Sequence, residues 1–138
     1  MGITAYGVLS RGLLGGELSA EGGFQAGDMR ARMPRFRAEN LARNLALTDA
    51  LREVAAAKHA TVAQVAVAWV LSQGADIVPL VGMRRPARVA EAVAALELRL
   101  SRTELEAIAA AAPAGAVAGD RYDERQMALL DSERRPAS

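Results

Sequence analysis

The run Gly82-Met83-Arg84-Arg85-Pro86-Ala87-Arg88 carries the chemistry most readily read from this sequence. It follows Ile77-Val78-Pro79-Leu80-Val81, an unbroken apolar run of the kind that forms a buried strand. Pro86 suits the first turn of a helix. A strand end leading into a helix start offers free N–H groups and the positive end of the helix dipole, and both receive anions. Gly82 lets a ligand approach the backbone closely. Arg84, Arg85 and Arg88 can add charge-assisted bonds to a phosphate. The alternative is a solvated basic helix start, with Arg88 and Glu91 paired at i, i+3 for roughly 0.2–0.5 kcal/mol.

A second candidate is Tyr6-Gly7-Val8-Leu9-Ser10-Arg11-Gly12. A tyrosine at a strand end can offer a flat face to a ring, and the glycine after it gives access to the backbone. The alternative is a core tyrosine followed by an ordinary turn. Other chemistries find little support. With one histidine and no cysteine, a metal would depend on carboxylates, and no acidic cluster has ligand spacing. A Ser-His-Asp triad would need His59, which is expected on the surface near a helix end beside Lys58. Trp69 is most simply a core residue.

Composition narrows the class. The 138 residues are 51% hydrophobic and 24% charged, which is globular. The net charge of +1 lacks the basic excess of a nucleic-acid binder. No apolar run approaches the roughly 18 residues that span a bilayer. The start lacks the basic region and long apolar segment of a signal peptide. A cytoplasmic protein, with no nucleic acid and no membrane as partner, is the expectation.

The elements that must position both candidates follow from periodicity. Ile3 to Leu9 reads as a strand entering a glycine-punctuated loop that lasts to about residue 27. One helix is expected over 37–58. A second opens with the capping box Thr61/Gln64, buries Val62, Val65, Ala66, Trp69 and Val70, and stops at Gly74 as a positive-φ residue. The strand at 77–81 is expected to be buried on both faces, although Pro79 has no N–H for a fully paired position. The next helix turns Val89, Val93 and Leu96 inward. Ser101/Glu104 caps another, stopped by Pro113 and Gly115. A short helix at 124–130 precedes a polar tail. Strands alternating with helices imply a parallel α/β sheet. Two strands are few for such a domain.

Taken together, the two loops resemble a known family. Ala5-Tyr6-Gly7-Val8-Leu9-Ser10-Arg11-Gly12-Leu13-Leu14 is similar to the segment at the seventh strand of aldo-keto reductases. Ala68-Trp69-Val70-Leu71-Ser72-Gln73-Gly74, with Ile77 to Gly82 after it, resembles that family's last helix-to-strand passage, and Arg88-Val89-Ala90-Glu91 its final barrel helix. The tail from Gly119-Asp120-Arg121-Tyr122 to Leu130-Asp131-Ser132-Glu133 looks like a bacterial subgroup.

The resemblance implies an α/β fold: a partial (β/α)₈ TIM barrel, the C-terminal part with strands seven and eight and flanking helices. Residues 1–36 would hold strand seven and its long loop, 37–74 helices, 77–112 strand eight and the final helices, and 113–138 the tail. Tyr6 would match the aromatic that stacks on the nicotinamide. Gly7, Leu9 and Arg11 would match the loop over the pyrophosphate. Gly82, Met83 and Arg84 would match the turn near the 2′-phosphate and adenine. Arg88 would match the arginine that grips them, and Glu91 an acid close to the adenine. The next family position is often Asn and here is Ala92, which puts one adenine hydrogen bond in question. The arginines favour NADPH over NADH.

The family's Asp-Tyr-Lys-His tetrad belongs to the first half of the barrel. The only lysine and histidine here, Lys58 and His59, are adjacent and cannot share a helix face. The expectation is therefore a chain that binds the nicotinamide cofactor, is inactive alone, and acts on a small carbonyl substrate within a complete enzyme, a complementing N-terminal half being one way to complete it. Two other readings stand beside it: a non-catalytic module that binds nucleotide phosphate or pairs with another protein, and a decayed remnant that folds poorly.

Overall fold

A computed structural model describes residues 1–130. Strands β1 (Ile3–Tyr6) and β2 (Ile77–Leu80) lie side by side in parallel, Ile3 opposite Ile77 and Tyr6 opposite Leu80. Parallel neighbours require a long crossover. Here it consists of α1 (Ala38–Ala46), α2 (Asp49–Ala57) and α3 (Val62–Ser72). After β2 come α4 (Pro86–Ala94), α5 (Arg102–Ala111) and the single turn α6 (Glu124–Met127). Because the strands are parallel and in register, the loops after Tyr6 and after Leu80 leave the same edge of the sheet.

The core is organised around α3. Leu51, Val54 and Ala55 of α2 and Ile108 of α5 pack against Val65 and Ala66, while Val8 and Ala95 pack near Val67. Ala63, Val65, Ala66, Val67 and Ala68 are all buried. The expected single apolar face is thus too narrow a description. Helix, sheet and loop close on α3 from several sides, and its alanines permit that close approach. Val62, Trp69 and Val70 are only partly buried, at its rim. A separate cluster of Leu13, Met33, Phe36, Leu41 and Leu45 ties the glycine-rich loop to α1, with Phe24 edge-on to Phe36 at 5.8 Å.

Both capping boxes form. The Thr61 and Ser101 side chains accept from the N–H groups of Gln64 and Glu104 at 3.2 and 3.3 Å, and the reciprocal bonds are 2.9 and 2.7 Å. Ser101→Ala removes the cap of α5 and is expected to lower the unfolding free energy by about 1 kcal/mol, read as a lower urea midpoint with unchanged slope. An unchanged midpoint would show that α5 is held by packing alone.

Four expectations need correction. The helix over 37–58 is two helices, broken at Leu47 and Thr48. The buried Thr48 hydroxyl donates to the Leu45 carbonyl at 2.7 Å, a local bond that competes with helix continuation. Gly74 does not use positive φ. A side chain there would stand 3.1 Å from the Asp76 carboxylate and 3.4 Å from Ile77, a tight fit that those side chains would have to relieve. His59 takes the left-handed conformation instead, at φ 51°, exposed at the end of α2 as the surface reading requires.

The other two corrections concern apolar faces. Strand β2 is covered on one face only. Thr4, Tyr6, Val78 and Leu80 share the other face by the two-residue period of a strand, and Val78 and Leu80 are 61% and 55% exposed. Val89, Val93 and Leu96, expected to point inward, are also exposed. Among the described residues nothing covers either surface. The last helix runs over Glu124–Met127, shorter than expected, and the end of the polar tail lies outside the described residues.

Candidate functional site

The parallel register brings the two candidate loops to one place. Between them lies an open groove of about 800 Å³, within the roughly 300–1,000 Å³ typical of small-molecule sites. All nine residues singled out from sequence line it: Tyr6, Gly7, Leu9, Arg11, Gly82, Met83, Arg84, Arg88 and Glu91. Ala92 lines it as well, whereas Arg85 caps the start of α4 and does not.

The first wall is a tight backbone. Gly7 has φ 76°, and the Ser10 N–H donates to its carbonyl at 2.8 Å. The Gly12 N–H donates to Leu9 at 2.9 Å. Ser10 and Arg11 are left-handed at φ 45° and 55°, a conformation uncommon outside glycine and concentrated at functional sites. Tyr6 is 71% exposed among the described residues, its ring open toward the groove.

The second wall is the turn into α4. A methyl group on Gly82 would meet no atom within 4 Å, so the backbone there is open to a ligand. No described residue pairs with the Arg84 side chain, and it is exposed. Arg88 is engaged. It donates to Glu91 at 2.7 Å, the i, i+3 pair foreseen as the bland alternative, and also to Glu17 from the glycine-rich loop. Glu17 is 73% exposed, so it is the partner an incoming anion can displace. Burial pushes the Glu91 carboxyl up, but hydrogen bonds from Arg88 and Thr61 outweigh it and hold that group below its usual range. The hydrogen bond to Glu91 raises Arg88 in turn.

Three participants were not read from the sequence. Glu17 carried no motif. Arg30 lines the groove, grips Asp28 through both carboxylate oxygens and lies 5.0 Å from the Phe24 ring. Tyr122 reaches back from the tail to Arg11 and Tyr6. A glycine and an aromatic in an otherwise polar tail were the available signal for the last. Lys58 pairs with Glu104 at 3.2 Å, and neither it nor His59 lines the groove. The site can bind and orient, but it holds no lysine or histidine for proton transfer.

The sequence model of the Aldo/keto reductase family matches residues 1–113. The chain belongs to the aldo/keto reductase family. It is 39% identical over 122 residues to a probable aldo-keto reductase of Glycine max and 36% identical over 120 residues to the NADP(+) aldo-keto reductase yakc of Schizosaccharomyces pombe. Those alignments cover 88% and 87% of this chain, and 35% of each relative. A solved glycerol dehydrogenase of Gluconobacter oxydans superposes with a TM-score of 0.72 at 32% identity, over 80% of this chain and 33% of that one. The chain thus spans about a third of the length of these aldo/keto reductases. The match to the family model ends at residue 113, before Tyr122.

Proposed function

We propose that this chain forms the cofactor-holding C-terminal part of an NADPH-dependent aldo-keto reductase that reduces aldehydes or ketones to alcohols. The observation that carries the reading is the parallel pairing of β1 and β2, which turns two loops distant in sequence into facing walls of one groove. The open face of Thr4, Tyr6, Val78 and Leu80 supports a second part of the proposal. In a closed (β/α)₈ barrel that face would look inward, covered by the other six strands.

NADPH supplies the hydride that reduces the carbonyl carbon. This chain's part is to hold and aim it. Tyr6 presents its exposed ring to the nicotinamide. Gly7, Leu9 and Arg11 lie along the pyrophosphate. Arg84, which pairs with no described residue, and Arg88, after releasing Glu17, receive the 2′-phosphate, with Gly82 and Met83 against the adenosine. Glu91 keeps Arg88 oriented by a charge-assisted bond. General acid–base work needs a titratable group within hydrogen-bond reach of the substrate oxygen, and the groove's lining offers no lysine or histidine for it. With Tyr6 given to the nicotinamide and Glu91 to Arg88, the proton donor is the tetrad that the family resemblance assigns to the first half of the barrel, and the chain alone transfers no hydride.

The test is NADPH oxidation with a simple aldehyde, by the chain alone and after combination with a polypeptide carrying the first six strand–helix units. Turnover only in the combination is expected. Turnover by the chain alone would overturn the claim of incompetence. A stable complex without turnover and without preference for a 2′-phosphate would favour a protein-pairing module, which the uncovered Val78 and Leu80 would equally serve.

A further inference from the structure

The tail after α5 is fastened at two places. The first is on α1. Asn44, 1% exposed, donates to the Ala118 carbonyl at 2.9 Å and accepts from the Ala118 N–H at 2.7 Å, and it also donates to the Arg35 carbonyl at 3.0 Å. Arg35 Nε donates to the Gly119 carbonyl at 3.2 Å. Gly119 has φ 79°, and a side chain there would lie 2.7–2.9 Å from Asn40 and the Pro34 backbone. The second place is the groove. Arg11 donates to the Arg121 carbonyl at 3.1 Å, its guanidinium carbon lies 4.5 Å from the centre of the Tyr122 ring, and the neighbouring Tyr6 and Arg11 side chains hold the Tyr122 phenol below its usual range.

Both residues that the tail meets line the groove, Tyr6 ahead of the strained turn at Ser10 and Arg11, and Arg11 within it. A segment serving only to cap the fold would end on apolar core. This one ends on the two side chains assigned above to the nicotinamide and the pyrophosphate. We infer that Ala118–Tyr122 is a positioning strap: anchored on α1 by Asn44 and Gly119, it uses Tyr122 and the Arg121 carbonyl to fix the Tyr6 ring and the Arg11 guanidinium at the nicotinamide–pyrophosphate end of the groove. Tyr122 is a positioning residue. It acts by removing the rotamer freedom that Tyr6 and Arg11 would otherwise lose on binding.

The inference rests on the cofactor reading, and two ligands separate them. In the full chain, 2′-phosphoadenosine probes only the Arg84/Arg88 end, whereas NADPH probes both ends. Tyr122→Ala is expected to weaken NADPH by about five- to tenfold, and Tyr122→Phe, which keeps the ring, by about two- to threefold, since the first loses the cation–π contact and the second only the polar end of the phenol. Neither should change the affinity for 2′-phosphoadenosine. If the unsubstituted chain does not bind 2′-phosphoadenosine, the cofactor reading itself fails. If it does, and the variants weaken both ligands alike or neither, the strap is overturned. Tyr122→Phe preserves packing, so its outcome counts even if Tyr122→Ala unfolds.

Discussion

Arg88→Met is expected to weaken 2′-phosphoadenosine by about ten- to a hundredfold, while adenosine, without the phosphate, binds as before. A charge-assisted hydrogen bond contributes about 1.5–3 kcal/mol, and each 1.4 kcal/mol is a factor of ten. Arg88 presents a partly buried guanidinium, 33% exposed, that Glu91 orients at 2.7 Å. Methionine keeps the apolar stem and removes only the fork. The same geometry sets the effect of Glu17. Because Glu17 occupies one edge of that guanidinium, phosphate must displace it, and Glu17→Gln should tighten 2′-phosphoadenosine by about two- to fivefold, the worth of an exposed ion pair. Isothermal titration against both ligands measures all of this. Equal losses for 2′-phosphoadenosine and adenosine in Arg88→Met would mean that Arg88 serves the fold and not the phosphate.

Asn44 and Gly119 should carry the largest stability effects. Asn44→Leu removes its bonds to the part-buried Arg35 and Ala118 carbonyls and from the Ala118 N–H. Each buried unpaired group costs about 1–3 kcal/mol, so a loss of about 3–5 kcal/mol is expected after partial rescue by water. Gly119→Ala combines φ 79° with contacts of 2.7–2.9 Å to Asn40 and Pro34, and about 2–3 kcal/mol follows for strain of this kind. The two act on one attachment, so the double variant should lose less than the sum. Urea unfolding followed by far-UV circular dichroism gives each value. A fully additive pair would mean that Asn44 and Gly119 hold separate structures.

What the sequence made legible was local or repeated. The pairs Thr61/Gln64 and Ser101/Glu104 each satisfy backbone groups three residues away, so their pattern is complete within one turn of helix. The groove loops were legible because a glycine, an arginine and a strand end recur at both Tyr6–Gly12 and Gly82–Arg88. The break at Thr48 was not, because a threonine hydroxyl bonding its preceding turn leaves the spacing of Leu45, Leu47 and Leu51 intact. The unbroken apolar run of β2 gave no hint that Val78 and Leu80 stay open, since such a run states that a face wants cover without stating what covers it. The strap was invisible for a different reason. Its partners, Asn44 with Ala118 and Arg11 with Tyr122, are joined by nothing shorter than most of the chain. A clue existed in Asn44, a polar residue on the stripe of Leu41 and Leu45, which burial obliges to find partners.

The decisive measurement is a titration of the isotope-labelled full chain with NADPH, following backbone amide resonances. Shifts should appear together at Gly7–Gly12 and at Gly82–Arg88, saturating with one affinity, because both loops border the same groove. Shifts confined to a single loop, or centred elsewhere on the molecule, would contradict the claim that two adjacent strand ends jointly hold the dinucleotide.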